Sequence, residues 1–177
     1  MVLRLSQKLN ARIKGGTLSA APPHENSLLD WSAQAFAVGR AEYVLLSNTR
    51  TLYSVVLAGM GLRDTARLPE RALGVIRATL EGTGHGANDR HHPTPAVESV
   101  RLAKALDRSV TGSMNELIVH ATALLVDGGV SLAEVGVRLN DVLLSALAVG
   151  SNKYGRPRDA FAERVAAAGS DEQTGTP

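Results

Sequence analysis

Residues 42–59, EYVLLSNTRTLYSVVLAG, place two runs rich in Tyr, Val, Leu and Thr on either side of SNTR. β-branched and aromatic side chains suit a pleated, half-buried surface, whereas Ser and Asn close turns by bonding to nearby backbone. The stretch therefore predicts a β-hairpin, residues 42–47 against 51–57. Side chains alternate along a strand, so Thr51, Tyr53, Val55 and Leu57 share one face while Leu52 and Val56 share the other. Apolar groups on both faces require cover on at least one side, and helices packed on one face are the expected source.

The rest of the chain supplies further strands and helices. VLRLS at the N-terminus reads as a short strand, followed by a helix QKLNARIK with Ser6 as its cap and Leu9 and Ile13 one turn apart. Gly15 and Gly16 end it. The Pro- and Ser-rich TLSAAPPHENS reads as a surface connection, after which Ser27 or Asp30 would cap a short helix through Trp31 and Phe36. LPERALGVIRATLEG predicts a helix with Pro69 in its first turn, Leu73, Ile76 and Leu80 at helical spacing, and Gly82 as its stop. In VESVRLAKAL neither period fits cleanly.

Ser113 with Glu116 and Ser131 with Glu134 are S-x-x-E capping boxes, in which the hydroxyl accepts from an amide three residues on and the carboxylate reaches back to the cap amide. The first would open a helix over 113–127 with Met114, Leu117, Ile118 and Ala121 on one face. The second would open a continuous helix carrying Leu132, Val135, Leu139, Val142, Leu143 and Ala146. A last helix starts at Pro157, and residues 170–177 read as a disordered tail. The pattern predicts a single α+β domain over residues 1–169, a small antiparallel sheet centred on the hairpin and packed by about five helices.

Composition narrows the chemistry. A chain of 177 residues can bury a core of its own, and with no cysteine it has no disulfide, no thiolate metal ligand and no cysteine nucleophile. That usage fits a reducing compartment, and without a long apolar run or a secretory leader the expectation is a cytoplasmic protein with no membrane partner. A net charge of +2 is too small to argue for nucleic acid by itself. Its distribution is uneven, because Arg4, Lys8, Arg12 and Lys14 all precede the first acidic residue, Glu25. These four form either a solvated face or a basic patch for a nucleic-acid or protein partner.

Residues 107–117, DRSVTGSMNEL, admit two readings. In one, Ser113 and Glu116 only cap a helix and Gly112 permits the turn. In the other, free amides and the positive end of the helix dipole combine with Arg108, Ser109, Thr111, Gly112, Ser113 and Asn115 into an anion-binding site for phosphate or carboxylate. The stretch is not a Walker A loop, which ends in Gly-Lys-Ser/Thr.

Other candidates are weaker. His85, Asp89, His91 and His92 lie together in the Gly-rich loop 82–95, but without the spacing of a rigid metal site, so no metal and no cofactor is expected. Glu116 and His120 stand one helical turn apart as an orienting carboxylate and an imidazole would, yet no nucleophile accompanies them and the catalytic residues remain unknown. SLAEVGVRLNDVLLSAL begins like a helix-turn-helix but continues the helical period where the turn should be.

Five pieces in order, LRLSQKL at 3–9, LLDW at 28–31, YVLLSNTRTLYSVVL at 43–57, RSVTGSMNEL at 108–117 and RLN at 138–140, resemble a bacterial family, domain of unknown function 6933. The resemblance spans most of the chain and implies a strand before RSVTGSMN, over residues 98–104. It implies no activity, substrate or cofactor. The loop at 82–95 and the C-terminal tail lie outside the family's pattern.

Three functions are compatible with these features. One is a non-enzymatic binding or regulatory module. Another is an anion or nucleotide-ligand protein, enzyme or not, with its site at the N-terminus of the 113–127 helix. The third is a structural homo-oligomer, since the edges of a small sheet can be buried by a homodimer.

Overall fold

In a computed structural model, residues 1–59, 67–82, 99–106 and 108–173 are described. Ten elements follow in order: β1 Val2–Leu5, α1 Gln7–Ile13, β2 Asp30–Val38, β3 Ala41–Asn48, β4 Ser54–Ala58, α2 Arg67–Gly82, β5 Arg101–Lys104, α3 Arg108–Val126, α4 Leu132–Leu139 and α5 Pro157–Gln173. Short 3-10 turns at Ser27–Leu29 and Ser145–Leu147 complete the description. The fold is α+β. Residues 174–177, the end of the expected tail, lie outside the described residues.

The sheet runs β4-β3-β2-β1-β5 and is mixed, which corrects the expected antiparallel sheet. β2, β3 and β4 pair antiparallel, whereas β1 lies parallel to both β2 and β5. The reason is connectivity: α1 and the following loop carry the chain back across the sheet between β1 and β2, and such a crossover delivers the next strand in the same direction. The central hairpin forms with Ser47 opposite Ser54 and Tyr43 opposite Ala58. Its turn is longer than expected and takes in residues 49–53.

The helix expected through Trp31 and Phe36 is instead strand β2, paired with β3 along its whole length from Trp31 opposite Asn48 to Val38 opposite Ala41. Three alanines give DWSAQAFAV a helical look, but tertiary pairing overrides propensity. Read with a period of two, Trp31, Ala33 and Ala35 join one core and Phe36 joins the other.

Helices cover both faces, not one. Leu3, Leu5, Leu9, Ile13, Trp31, Val44, Leu46, Val55, Leu57, Leu68, Ile76 and Phe161 form one core, under α1, α2 and α5. Phe36, Leu45, Leu52, Val56, Met114, Leu117, Ala121, Val135, Leu139 and Leu144 form the other, under α3 and α4. A sheet apolar on both faces can be buried only by two helical layers.

Helix starts separate the two capping boxes. Ser131 caps α4 as expected, its hydroxyl accepting from the Glu134 amide at 3.2 Å, although the Glu134 carboxylate accepts from Arg138 and does not return to the cap. Ser113 does not cap α3, which already begins at Arg108; its hydroxyl donates to the Ser109 carbonyl one turn back, at 3.2 Å. The cause is Val110, which extends the apolar stripe of Met114, Leu117 and Ala121 upstream of the serine and packs against the same core. The helix expected to run on from Leu139 stops there, with Asn140 as its cap, and the chain leads instead to a short bridge between Leu144 and Gly155.

Candidate functional site

Arg4 points away from α1 and is fully enclosed, 1% exposed, against Asp30 at 4%. Its Nε and Nη2 donate to the two carboxylate oxygens at 2.7 Å each, and the remaining donors reach the carbonyls of Ala21 and Pro22 at 3.0 and 2.8 Å. The His24 amide adds a bond to Asp30 at 2.9 Å. A forked guanidinium on a carboxylate is the geometry in which a buried ion pair is satisfied. Burial pushes the Asp30 carboxyl up, but hydrogen bonds from Arg4, the His24 amide and Thr49, together with the Arg4 charge, outweigh burial and hold it below its ordinary value.

Asn48 organises the other side of the same region. Its Nδ2 donates to the carbonyls of Ser27 and Asp30 at 2.9 and 3.2 Å, while its Oδ1 accepts from the Arg50 and Thr51 amides and the Thr51 hydroxyl at 3.2, 3.1 and 3.0 Å. The chain then passes through Leu52 in the left-handed region, φ 59°, a conformation a leucine holds only under constraint. This turn leaves the Arg50 side chain exposed at its tip.

Between these loops lies a cleft of about 770 Å³. Its walls are residues 23–30, the turn 49–52, the first turns of α3, residues 146–149 and the α5 segment 160–167. His24, Arg50, Ser109, Ser113, Glu163 and Arg164 are among its polar groups, beside Ser27, Asp30, Thr49 and Thr51. The His24 Nδ1 accepts from the Asn26 amide at 3.1 Å. Neither Arg50 nor Arg164 is paired with a carboxylate among the described residues. Among the described residues, with Asp30 neutralised by Arg4, Arg50 and Arg164 share the walls with one further acid, Glu163, an excess of one positive charge.

The family model described as Domain of unknown function (DUF6933) matches residues 2–160. The chain belongs to this family. No curated protein and no solved structure matches it. The DUF6933 match takes in β1 through the first turn of α5, so His24, Arg50, Ser109 and Ser113 fall inside it while Glu163 and Arg164 lie just beyond.

In this DUF6933 domain the six residues grouped as an anion site are divided. Ser109 and Ser113 line the cleft. Thr111 lies on the other side of α3, at a small void beside Arg4, Ser32 and Gln34. Asn115 accepts from Gln34 at 2.5 Å, and Arg108 and Gly112 are exposed. Because α3 starts at Arg108, Ser113 is already in its second turn and not at its N-terminus.

The basic patch is also divided. Arg4 is in the interior, and Arg12 lies 2.8 Å from the Glu42 carboxylate without hydrogen-bond alignment. Lys8 and Lys14 stay exposed. Glu116 and His120 are both exposed on α3, whereas His85, Asp89, His91 and His92 lie outside the described residues. Among the described residues no cluster of His, Asp or Glu could hold a metal, and no helix is long and apolar enough to cross a membrane.

His24, Arg50 and Arg164 did not stand out in the sequence. Arg50 had one local signal, its place within SNTR, where a turn presents a side chain outward. Nothing in the linear order links it to Arg164.

Proposed function

We propose that this domain is a binding module for a small anionic ligand held in the cleft between the 49–52 turn, the start of α3 and α5. One observation carries the reading: Arg50 and Arg164, from distant parts of the chain, line one cleft and have no described carboxylate partner there. Guanidinium groups are always charged and present paired donors, which suits them to carboxylate and phosphate. The Ser109 and Ser113 hydroxyls and the His24 ring add polar groups on the same walls.

Ligand binding to the folded state alone raises the melting temperature by mass action. A thermal-shift panel of phosphate, nucleoside monophosphates and mono- and dicarboxylates tests the proposal. At least one anion should stabilise the protein, and Arg50→Ala and Arg164→Ala should each reduce the effect. No shift from any anion would overturn it.

A further inference from the structure

We infer that the ligand is an aliphatic carboxylate, a free medium-chain acyl anion, with its head group at Arg50 and Arg164 and its chain along the apolar wall of the cleft. The inference rests on the anion reading above and narrows it to one chemical class.

Size comes first. A cleft of about 770 Å³ is that of a site for a drug-sized ligand, which typically takes about 300–1,000 Å³, and a bare phosphate or acetate would leave most of it unfilled. The remainder of the ligand must match the remaining wall. Much of that wall is aliphatic: Leu52, Leu106, Val110, Leu147, Val149 and Ala160 line the cleft, with Ser27, Thr49 and Thr51 as further neutral polar groups. Leu106 is 41% exposed and Val149 73% exposed, so two large apolar side chains stand open to solvent at the place where a chain would cover them.

Aromatic residues argue against a nucleobase. All six in the chain are placed elsewhere: Trp31, Tyr53 and Phe161 meet in one core, Phe36 and Tyr43 stack at the far end of β2 and β3, and Tyr154 does not line the cleft. A base held in this cleft would therefore find no Trp, Tyr or Phe ring to stack on, only the His24 imidazole and the two guanidinium groups. Charge points the same way. Among the described lining residues an excess of one positive charge balances one carboxylate, whereas a nucleoside monophosphate brings about two negative charges.

Isothermal titration calorimetry of the full chain with hexanoate, octanoate, decanoate, inorganic phosphate and AMP tests this. Affinity should rise with chain length, by about threefold to fourfold for each methylene fully buried, and exceed that for phosphate and AMP. Arg164→Gln should weaken every carboxylate. Val149→Asp, at a site exposed enough to leave the fold intact, should weaken decanoate tenfold or more. Binding of phosphate or AMP without binding of decanoate would overturn the acyl assignment and leave the anion reading standing. Decanoate binding that ignores both substitutions would also overturn the assignment, and absence of binding by every anion would overturn both.

Discussion

The Asn140 side chain and the Ser54 backbone hold each other in both directions: Oδ1 accepts from the Ser54 amide at 2.7 Å and Nδ2 donates to the Ser54 carbonyl at 3.0 Å. Asn140 is 3% exposed and Ser54 is fully buried. The same residue caps α4 and offers its own carbonyl to the Arg158 amide at 3.1 Å. One side chain thus joins the end of α4 to strand β4, and its backbone joins both to the start of α5, the helix that forms one wall of the cleft.

Replacing Asn140 by Ala strands a buried amide and a buried carbonyl. The expected cost is about 2–6 kcal/mol, since each of the two unsatisfied groups costs about 1–3 kcal/mol. Urea unfolding measures it. A loss below about 1 kcal/mol would show that solvent or a neighbour replaces the side chain.

Arg4 and Asp30 should behave as a unit. Arg4→Met leaves a buried carboxylate without its partner and should cost about 3–5 kcal/mol, while Arg4→Met with Asp30→Leu should recover part of that loss. A double variant no more stable than the single one would contradict the pairing.

The Asp30 carboxyl also sets a pH dependence. Its folded value lies below the ordinary one, so the stability it contributes is fully present above the ordinary carboxylate range, about 3.9, and is lost as pH falls through the lowered folded value. Urea midpoints of the wild type and Asp30→Asn should therefore converge as the solution is acidified below about pH 4. Parallel curves down to pH 2 would remove Asp30 as the cause.

Two glycines should respond oppositely to alanine. A Cβ on Gly136 meets the Ser54 carbonyl oxygen at 3.5 Å and the Val55 Cα at 3.7 Å, ordinary contact, and α4 gains helix propensity of about 0.5–1 kcal/mol. A Cβ on Gly155 collides with the Leu147 carbonyl oxygen, so Gly155→Ala should cost about 1–3 kcal/mol and displace the 146–149 wall. Thermal unfolding of both variants compares them directly; equal effects of the same sign would contradict the packing described.

What the linear order disclosed follows the range of the interactions involved. Leu9 and Ile13 after Ser6, or Val55, Val56 and Leu57 after SNTR, declare their elements through neighbours a few positions away. β2 stayed hidden because its alternating pattern is written largely in alanine, and only its pairing with β3 selects the strand. The parallel placement of β1 depends on partners at Asp30 and Arg101, distant in the chain. For the same reason Arg4 read as a surface charge until Asp30 was placed beside it. Ser109 and Ser113 were legible as a cluster, whereas the cleft they line also needs Arg50 and Arg164, which only the folded chain brings to common walls.

Amide chemical-shift mapping tests the location of the site most directly. With ¹⁵N-labelled protein titrated by octanoate and then by phosphate, the perturbed amides should cluster at Thr49, Arg50, Ser109, residues 147–149 and residues 160–164. Perturbations gathered on α1 around Lys8 and Lys14, or none with either anion, would contradict the claim that this cleft is the binding site.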